Sequence, residues 1–299
     1  MTRRLVLFAS FDKDGLVRDY VVSYLRRLKA VADSIVFVAD STAEQTERDK
    51  LNGLADIAIF QPHGEYDFGS YKRGLAAARE RGLLKACDEL ILCNDSCFAV
   101  GGFERAFDEM GKRDCDFWGM TSNREVEPHL QSYFLVFKKP VFENAAFAVF
   151  FDAVKKQKNV RDVVLNYEIP LQNVLEKQGF KGDALLPAKT ENNPIMYPLD
   201  MLDGGFLVKR KVFELAGFSR QSVRKTLARI KAADKQAFAD ITDYCGTPRA
   251  VLCKLRFKAF CNFLFRKKKT RSGGVIVKVC KIPVFVQSGK SSGRKYEEK

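Results

Sequence analysis

Polar side chains follow four short apolar runs in the first hundred residues, and their types suit a small polar ligand. The runs have the length of strands and cover residues 5–10, 34–39, 56–60 and 89–93. The polar residues that follow them are Asp12, Asp40, Asp67, Asn94, Asp95 and Ser96. Acidic and amide groups of this kind bind a ribose, a base edge or a metal ion. Ligands of an open parallel sheet lie beyond the carboxyl ends of its strands, so we expect these residues to meet there.

A phosphate could be received close by. Gly69-Ser70-Tyr71-Lys72 is predicted to open a helix, whose free N–H groups and dipole, together with the Lys72 ammonium, attract an anion. The sequence contains neither GxGxxG nor GxxxxGK[ST]. A dinucleotide-binding domain of the usual kind and a P-loop are therefore not predicted.

The elements that would position these groups alternate along the chain. Helical spacing of apolar residues occurs between the four runs, at 17–30, 42–54 and 70–86. Strand followed by helix is the pattern of an α/β fold, in which a mostly parallel sheet carries helices on both faces. Further strands are predicted at 117–120 and 131–138, and helices at 141–156 and 160–178. Pro170 should mark a break or a new first turn in the last of these.

The chain's charge is concentrated at its C-terminal end. The 299 residues are 46% hydrophobic and 29% charged, which excludes a disordered protein. Residues 249–299 contain fifteen basic and two acidic residues and so carry +13 of the net charge of +14. We predict one domain at 1–220 and a basic helical region at 221–299.

The basic region contains a predicted amphipathic helix. Over 249–265, one stripe holds Cys253, Phe257, Phe260, Cys261 and Leu264, and a run of four basic residues begins at Arg266. Such a helix could lie on an anionic bilayer, or it could simply pack on the body of the protein. Two short strands are expected after it, at 275–279 and 282–286.

Cysteine and histidine usage argues against a zinc site and for reduced thiols. The eight cysteines include no CxxC pair, and the chain has two histidines. The N-terminal apolar run is broken by charged residues, and no run is long enough to span a membrane. We therefore expect a cytoplasmic protein.

Four motifs make a family resemblance recognisable. They are His63-Gly-Glu-Tyr-Asp-Phe-Gly-Ser-Tyr-Lys72, Cys93-Asn-Asp-Ser-Cys-Phe98, Phe117-Trp-Gly-Met-Thr-Ser122 and His129-Leu-Gln-Ser-Tyr-Phe134. In this order, and with Gly205-Phe-Leu-Val-Lys209, they resemble the rhamnan synthesis protein F family, bacterial glycosyltransferases that build rhamnose-containing polysaccharides. The resemblance implies a GT-A-like fold, a nucleotide-sugar donor and a growing glycan as acceptor.

The resemblance also suggests a metal ligand. GT-A enzymes commonly carry Asp-x-Asp after a central strand, where carboxylates hold Mg²⁺ or Mn²⁺ against the donor diphosphate. Here the corresponding residues are Asn94-Asp95-Ser96, with one carboxylate instead of two. Asp95 could bind the metal, bind the donor sugar directly, or cap the following turn.

An inverting glycosyl transfer needs a general base near the acceptor hydroxyl. Glu168 resembles the acidic residue that opens a helix in many GT-A enzymes, although a glutamate at a helix start is also favoured by the dipole. Glu125, Glu127 and His129 follow the strand that carries Trp118 and are rival bases. His129 could equally be a buried structural residue.

The remaining donor contacts are assigned by residue type. Trp118 could stack on a sugar face or belong to the core. Lys72 and Lys209 could contact the diphosphate or simply be solvated.

Together these features predict a glycosyltransferase. We expect dTDP-rhamnose or a similar nucleotide sugar as donor, and a glycan or polyprenyl-linked acceptor of a bacterial surface polysaccharide. The protein should work at the cytoplasmic face of the inner membrane, bound to its anionic surface. The alternative is a non-enzymatic polyanion-binding or nucleic-acid-binding protein that uses the basic tail, although no nucleic-acid motif appears. A nucleotidyltransferase is a third option, but its Gly-rich entry loop is missing.

Overall fold

The fold is described from a computed structural model of the chain. The structure describes residues 2–187, 194–214, 220–269, 275–279 and 282–287, and it describes side chains as far as residue 258, except for that of residue 220.

The described residues form thirteen strands. They are β1 Arg4–Ser10, β2 Ser34–Ala39, β3 Ile57–Phe60, β4 Glu89–Asn94, β5 Cys97–Ala99, β6 Phe117–Asn123, β7 His129–Leu130, β8 Phe134–Lys138, β9 Gly182–Leu186, β10 Leu207–Lys209, β11 Phe265–Lys269, β12 Val275–Val279 and β13 Ile282–Gln287.

The helices lie between the strands. They are α1 Asp19–Lys29, α2 Gln45–Asp49, α3 Tyr66–Glu80, α4 Leu83–Ala86, α5 Glu104–Gly111, α6 Lys139–Phe142, α7 Ala145–Asp152, α8 Val160–Val163, α9 Ile169–Glu176, α10 Pro198–Gly204, α11 Lys211–Glu214, α12 Arg220–Ala233, α13 Lys235–Cys245 and α14 Pro248–Leu264. A π-helical turn, Val164–Glu168, joins α8 to α9.

The main sheet is mostly parallel. Its strands follow the order β3-β2-β1-β4-β8-β6, and β7 and β9 also pair with β6. Strands β1 to β4 are mutually parallel, β6 and β9 run in the same direction, and β8 and β7 are antiparallel to their neighbours. The carboxyl ends of β1, β2 and β4 therefore lie along one edge.

Both faces of the sheet are buried, which explains why its strands are apolar without alternation. Val6 and Phe8 of β1 pack into one cluster with helices α1, α5, α12 and α13. Leu5, Leu7 and Ala9 pack into a second cluster with α3, α7 and α9. The predicted α/β class, with helices on both faces of a mostly parallel sheet, is confirmed.

Several predicted elements have other bounds. The helix predicted at 70–86 begins at Tyr66 and ends at Glu80, because Gly82 adopts a φ of +70° before the short α4. The helix predicted at 42–54 is only Gln45–Asp49. The helix predicted at 160–178 is divided by the π-helical turn. Pro170 lies in the first turn of α9, which is the second of the two alternatives predicted for it, a break or a new first turn.

The region after residue 220 shares the core of the body. Val223, Ile230 and Ile241 lie in the same cluster as β1 and α1, and so do Val251 and Leu255 of α14. One face of α14 thus packs on the body, and Phe257 is 68% exposed on another face. Helix α14 ends at Leu264, and residues 265–269 form β11, which pairs with β12. No helix among the described residues is long and apolar enough to cross a membrane.

Asp234 fastens α13 to the body. Its carboxylate accepts hydrogen bonds from the N–H groups of Ala237, at 2.9 Å, and Gly101, at 2.8 Å, and forms an ion pair with Arg27 at 2.8 Å. It thus caps α13 and joins it to α1 and to the loop before α5.

We predict that Asp234→Ala lowers the free energy of unfolding by about 2 kcal/mol, because a helix cap and a charged hydrogen bond are lost together. Urea unfolding measures the change, and Asp243→Ala, on the exposed side of α13, is the control. Equal stability of the two variants would show that this contact does not hold α13 on the body.

Candidate active site

Two adjoining cavities open at the carboxyl edge of the sheet. The larger has a volume of about 600 Å³ and the smaller about 390 Å³. Five residues line both cavities and are called the shared wall: Tyr66, Asp67, Ser96, Val160 and Arg210. Ligands in the two cavities would therefore contact the same five residues.

The larger cavity is lined by residues at the carboxyl ends of strands. Asp40, which follows β2, is one of them and was predicted to lie at this edge. The Asp40 carboxylate accepts hydrogen bonds from the N–H groups of His63 and Gly64, and so fixes the loop between β3 and α3. Gly64 has a φ of +67°, and a Cβ atom there would lie 3.2 Å from Cε of Lys156. The Lys156 side chain therefore passes over this loop at the cavity.

Asp95 lines the larger cavity and is 8% exposed. Its Oδ2 atom accepts hydrogen bonds from Ser10 Oγ at 3.0 Å and from the Phe11 N–H at 2.9 Å. Its Oδ1 atom lies 3.9 Å from Nη2 of Arg210. Burial raises the pKa of this carboxyl, and Arg210 and the hydrogen bonds oppose the increase.

Asn94 connects the turn after β4 to the start of α3. Its amide donates to Asp67 at 2.7 Å, and its Oδ1 accepts from Ser96 Oγ at 2.6 Å. Burial and the nearby Asp95 raise the pKa of Asp67 to about 7. Tyr66, next to Asp67, has a φ of +59°, a strained conformation for a tyrosine, and strain of this kind concentrates at functional sites.

A buried carboxylate and imidazole face each other in the smaller cavity. Glu168 accepts hydrogen bonds at Oε2 from the N–H of Ser132, at 2.8 Å, and from its hydroxyl. Its Oε1 atom lies 3.6 Å from Nε2 of His129, whose Nδ1–H donates to the carbonyl of Glu127 at 2.7 Å.

This arrangement favours the charged form of both groups. Burial would raise the pKa of Glu168, but His129 and the Ser132 bonds lower it overall. Burial would lower the pKa of His129, but Glu168 and the Glu127 carbonyl raise it overall.

The π-helical turn explains how Glu168 reaches this position. Pro170 has no N–H with which to continue the α-helical ladder from the preceding turn. The chain widens over Val164–Glu168, and the α-helical pattern resumes at Ile169. Such turns are frequent at functional sites.

Two consecutive cations complete the shared wall and the smaller cavity. Lys209 donates from Nζ to Ser96 Oγ at 2.9 Å and lies 3.7 Å from the centre of the Tyr133 ring. Burial lowers its pKa. Arg210 donates to the hydroxyl of Tyr20 and, at 3.3 Å, to that of Tyr244.

The residues at Asp95 do not fit a divalent cation held by protein carboxylates. Asp95 Oδ2 already accepts two hydrogen bonds, and Oδ1 faces a guanidinium. Among the described residues, no three His, Cys, Asp or Glu side chains are grouped so that they could hold a metal ion. The predicted Mg²⁺ or Mn²⁺ would depend on Asp95 and on ligands from the donor.

Most of the predicted site residues meet at the two cavities. Those that line one or both are Asp40, Asp67, Asn94, Asp95, Ser96, Glu125, His129, Glu168 and Lys209.

Five others lie elsewhere. Asp12 holds the loop after β1 by accepting from Arg18 at 2.6 Å. Lys72 donates to the carbonyl of Val154 at 3.0 Å, and Glu127 is exposed and accepts from Asn173 at 3.3 Å.

Gly69 and Trp118 are packing positions in this structure. Because α3 begins at Tyr66, the N–H of Gly69 bonds to the carbonyl of Glu65, and a Cβ atom at Gly69 would lie 2.3 Å from Cβ of Glu65. Trp118 is 3% exposed and packs against the rings of Phe107 and Phe134 in the core.

Sequence reasoning did not find Arg210, Tyr66, Lys156 or Lys158, which also line the cavities. The one signal for Arg210 was its position beside Lys209. The lysines stand out only as a basic run, Lys155-Lys156-Gln157-Lys158, between two helices.

Comparison with known families assigns the chain. The family model described as rhamnan synthesis protein F matches residues 35–230, which include all five residues of the shared wall. The chain belongs to the rhamnan synthesis protein F family.

Curated relatives of this family member are longer. The chain is similar to the uncharacterized protein y4gN of Sinorhizobium fredii, with 26% identity over 59% of this chain and 46% of y4gN. It is also similar to the virulence protein VirA of Vibrio anguillarum, with 24% identity over 62% of this chain and 60% of VirA. The chain spans about half the length of the curated relatives it matches.

Two solved structures are examples of structural similarity to this chain. A putative nucleotide-diphospho-sugar transferase from Desulfovibrio desulfuricans aligns with a TM-score of 0.47 and 11% identity, over 85% of this chain and 99% of its own. Glucosyl-3-phosphoglycerate synthase from Mycobacterium tuberculosis, solved with Mn²⁺, UDP and phosphoglyceric acid, aligns with a TM-score of 0.40 and 8% identity, over 96% and 90%.

The charged pair in the smaller cavity predicts a pH-dependent stability. Glu168, with a lowered pKa, stabilises the fold above its ordinary value of 4.5 and loses this effect as the pH falls. His129, with a raised pKa, stabilises it below 6.5 and loses this effect as the pH rises through the raised pKa. The pair therefore contributes most between those two values.

We predict that His129→Asn, which retains a donor for the Glu127 carbonyl, costs about 2–4 kcal/mol of unfolding free energy near pH 5.5 and less near pH 8.5. Urea unfolding at both pH values measures it. His63→Asn is the control and should show the opposite trend, because burial lowers the pKa of His63. A cost for His129→Asn that is equal at both pH values would contradict the charged pair.

Proposed function

We propose that this family member is a glycosyltransferase that moves a sugar from a nucleotide-sugar donor to a carbohydrate acceptor. The observation that carries the proposal is the pair of adjoining cavities with one shared wall, the smaller of which presents the buried carboxylate of Glu168. Transfer between two bound substrates requires this kind of adjacency, because the reacting atoms must be held in contact.

The donor is assigned to the larger cavity. This cavity lies beyond the carboxyl ends of β1, β2 and β4, where α/β proteins bind nucleotides. Asp40 offers acceptor oxygens for a ribose or a base, and Lys156, Lys158 and Arg210 offer cations for phosphate oxygens. The sugar would then extend past the shared wall.

Glu168 is the proposed general base in the smaller cavity. The acceptor hydroxyl attacks the anomeric carbon, the bond from that carbon to the diphosphate oxygen breaks, and the hydroxyl proton passes to Oε1 of Glu168. Oε1 is the oxygen that Ser132 does not engage. The lowered pKa keeps Glu168 ionised at neutral pH, and the hydroxyl becomes acidic as its new bond forms.

The family description supports rhamnose as the transferred sugar. We infer dTDP-rhamnose or a similar donor and a growing bacterial surface polysaccharide, free or polyprenyl-linked, as acceptor. The apolar residues Val163, Val164 and Ile169 beside Glu168 suit the apolar face of a sugar.

We predict that Glu168→Gln lowers the turnover for sugar transfer by about 10²–10⁴-fold, while donor affinity changes little, because the variant keeps the shape and loses the proton acceptor. Transfer from dTDP-rhamnose and donor binding are measured separately. Glu127→Gln, on the exposed loop, is the matched control. Turnover retained in Glu168→Gln but lost in Glu127→Gln or His129→Asn would move the base to the β6–β7 loop.

We further propose that the chain works at an anionic membrane surface on the cytoplasmic side. Residues 249–299 carry +13, and α14 presents Phe257 with 68% of its surface exposed, next to exposed Arg256 and Lys258. Basic side chains near an anionic surface contribute on the order of 1 kcal/mol each, and an inserted aromatic ring adds to this.

We predict that the full chain floats with phosphatidylglycerol vesicles and not with phosphatidylcholine vesicles at low salt. Phe257→Asp should weaken flotation roughly tenfold, since the ring no longer enters the interface. Val149→Asp, at a position 67% exposed on α7, is the control. Equal flotation of both variants, or equal binding to both lipids, would contradict the membrane assignment.

A further inference from the structure

A short strand pair brings two cations to the turn after β4. Strand β10 is antiparallel to β5, and Lys209 is in register with Cys97. The N–H of Arg210 donates to the carbonyl of Ser96 at 2.9 Å, so the backbone fixes both residues beside the turn. Lys209 and Arg210 thus lie against Ser96, although more than a hundred residues separate them from it in the sequence.

The Arg210 guanidinium is fixed by aromatic residues from two helices. It donates to the hydroxyls of Tyr20, on α1, and Tyr244, on α13, and lies 5.6 Å and 5.3 Å from the centres of their rings. Tyr20 in turn donates to the carbonyl of Asp95 at 2.9 Å. This cluster holds the guanidinium at the shared wall before any ligand is bound.

The charge of Arg210 is only partly compensated. The nearest carboxylate atom among the described residues, Asp95 Oδ1, lies at 3.9 Å from Nη2 of Arg210, too far for a direct hydrogen bond. Asp95 Oδ2 is occupied by Ser10 and Phe11. Among the described residues, the hydrogen bonds of the guanidinium all start from Nη1, so Nε and Nη2 retain N–H donors for an anion. A guanidinium matches the oxygens of a phosphate in a bidentate manner.

Lys209 adds a second charge on the side of the smaller cavity. Its Nζ is held by Ser96 Oγ and the Tyr133 ring rather than by a carboxylate. The two cations thus flank Ser96, where the cavities meet.

We propose that Arg210, assisted by Lys209, neutralises the diphosphate of the donor in place of a divalent cation, so that donor binding does not require metal. This inference rests on the proposed function and concerns the same site. When the bond from the sugar to the diphosphate breaks, the bond electrons pass to the diphosphate oxygen. The fixed cations stabilise that charge without rearrangement.

The test is calorimetric binding of dTDP, UDP and dTMP to the full chain, with EDTA or with Mn²⁺. We expect wild-type affinity for dTDP to change less than threefold between the two conditions. Arg210→Gln should weaken the binding of dTDP about 10–100-fold and the binding of dTMP much less, because the charged hydrogen bonds to the β-phosphate are lost. Arg210→Lys keeps the charge but lacks the planar guanidinium. Its affinity for dTDP should lie between those of the wild type and Arg210→Gln.

Arg26→Gln, at an exposed position on α1, is the control and should bind as the wild type does. Circular dichroism confirms that each variant is folded. Binding of dTDP that requires Mn²⁺, or that survives Arg210→Gln unchanged, overturns this inference and leaves the transferase proposal intact. Failure of the wild type to bind dTDP and UDP under either condition overturns both.

Discussion

The buried carboxylate of Asp95 joins the parts of the molecule that form the site. It accepts hydrogen bonds from Ser10 and Phe11 at the end of β1. The N–H of Asp95 donates to the carbonyl of Ala9, and the Asp95 carbonyl accepts from the hydroxyl of Tyr20. Strands β1 and β4 are parallel and in register, with Ala9 opposite Asn94, so this contact aligns their ends at the cavity edge. Burying a carboxylate is costly unless it is hydrogen-bonded, and here backbone, hydroxyl and arginine together offset part of that cost.

The other charged groups are arranged in the same way. Glu168 is bonded to Ser132 and faces His129, Asp67 is bonded to Asn94, and Lys209 is bonded to Ser96. Each of these buried ionisable groups has a fixed partner from another element, so breaking one partnership leaves a buried group unsatisfied. Electrostatic interactions are stronger in such partly desolvated cavities, and groups already in place need no rearrangement during the reaction.

The fold class and the position of the site could be predicted because they depend on local patterns. Strands β1, β2 and β4 are buried on both faces, so their apolar runs are visible in the sequence. Asp40 after β2, and Asp95 and Ser96 after β4, lie at the larger cavity as expected, whereas Asp12 after β1 bonds to Arg18 instead. The start of α3 was missed because Tyr66 has a φ of +59° and no side chain caps the helix. That error of four residues placed Gly69 and Lys72 at a helix start, whereas they lie within the helix.

Contacts distant in sequence account for the rest. Arg210 reaches the shared wall through a three-residue strand pairing and the aromatic rings of Tyr20 and Tyr244, none of which has a local signature. Glu168 was selected as an acidic residue at a helix start, but its position depends on a π-helical turn and on bonds to Ser132. Trp118 has the residue type of a sugar platform, yet its place in β6 directs it into the core.

The central claim is that one ligand crosses the shared wall from the larger cavity towards Glu168. The most direct measurement is the crystal structure of the full chain with the nucleotide sugar that gives the largest thermal stabilisation in a panel, since a specific ligand stabilises the native state. The account predicts the nucleoside near Asp40, the diphosphate against Ser96 and Arg210, and the sugar facing Glu168. A nucleotide sugar bound away from the carboxyl ends of β1, β2 and β4, or one whose sugar points away from Glu168, would contradict it.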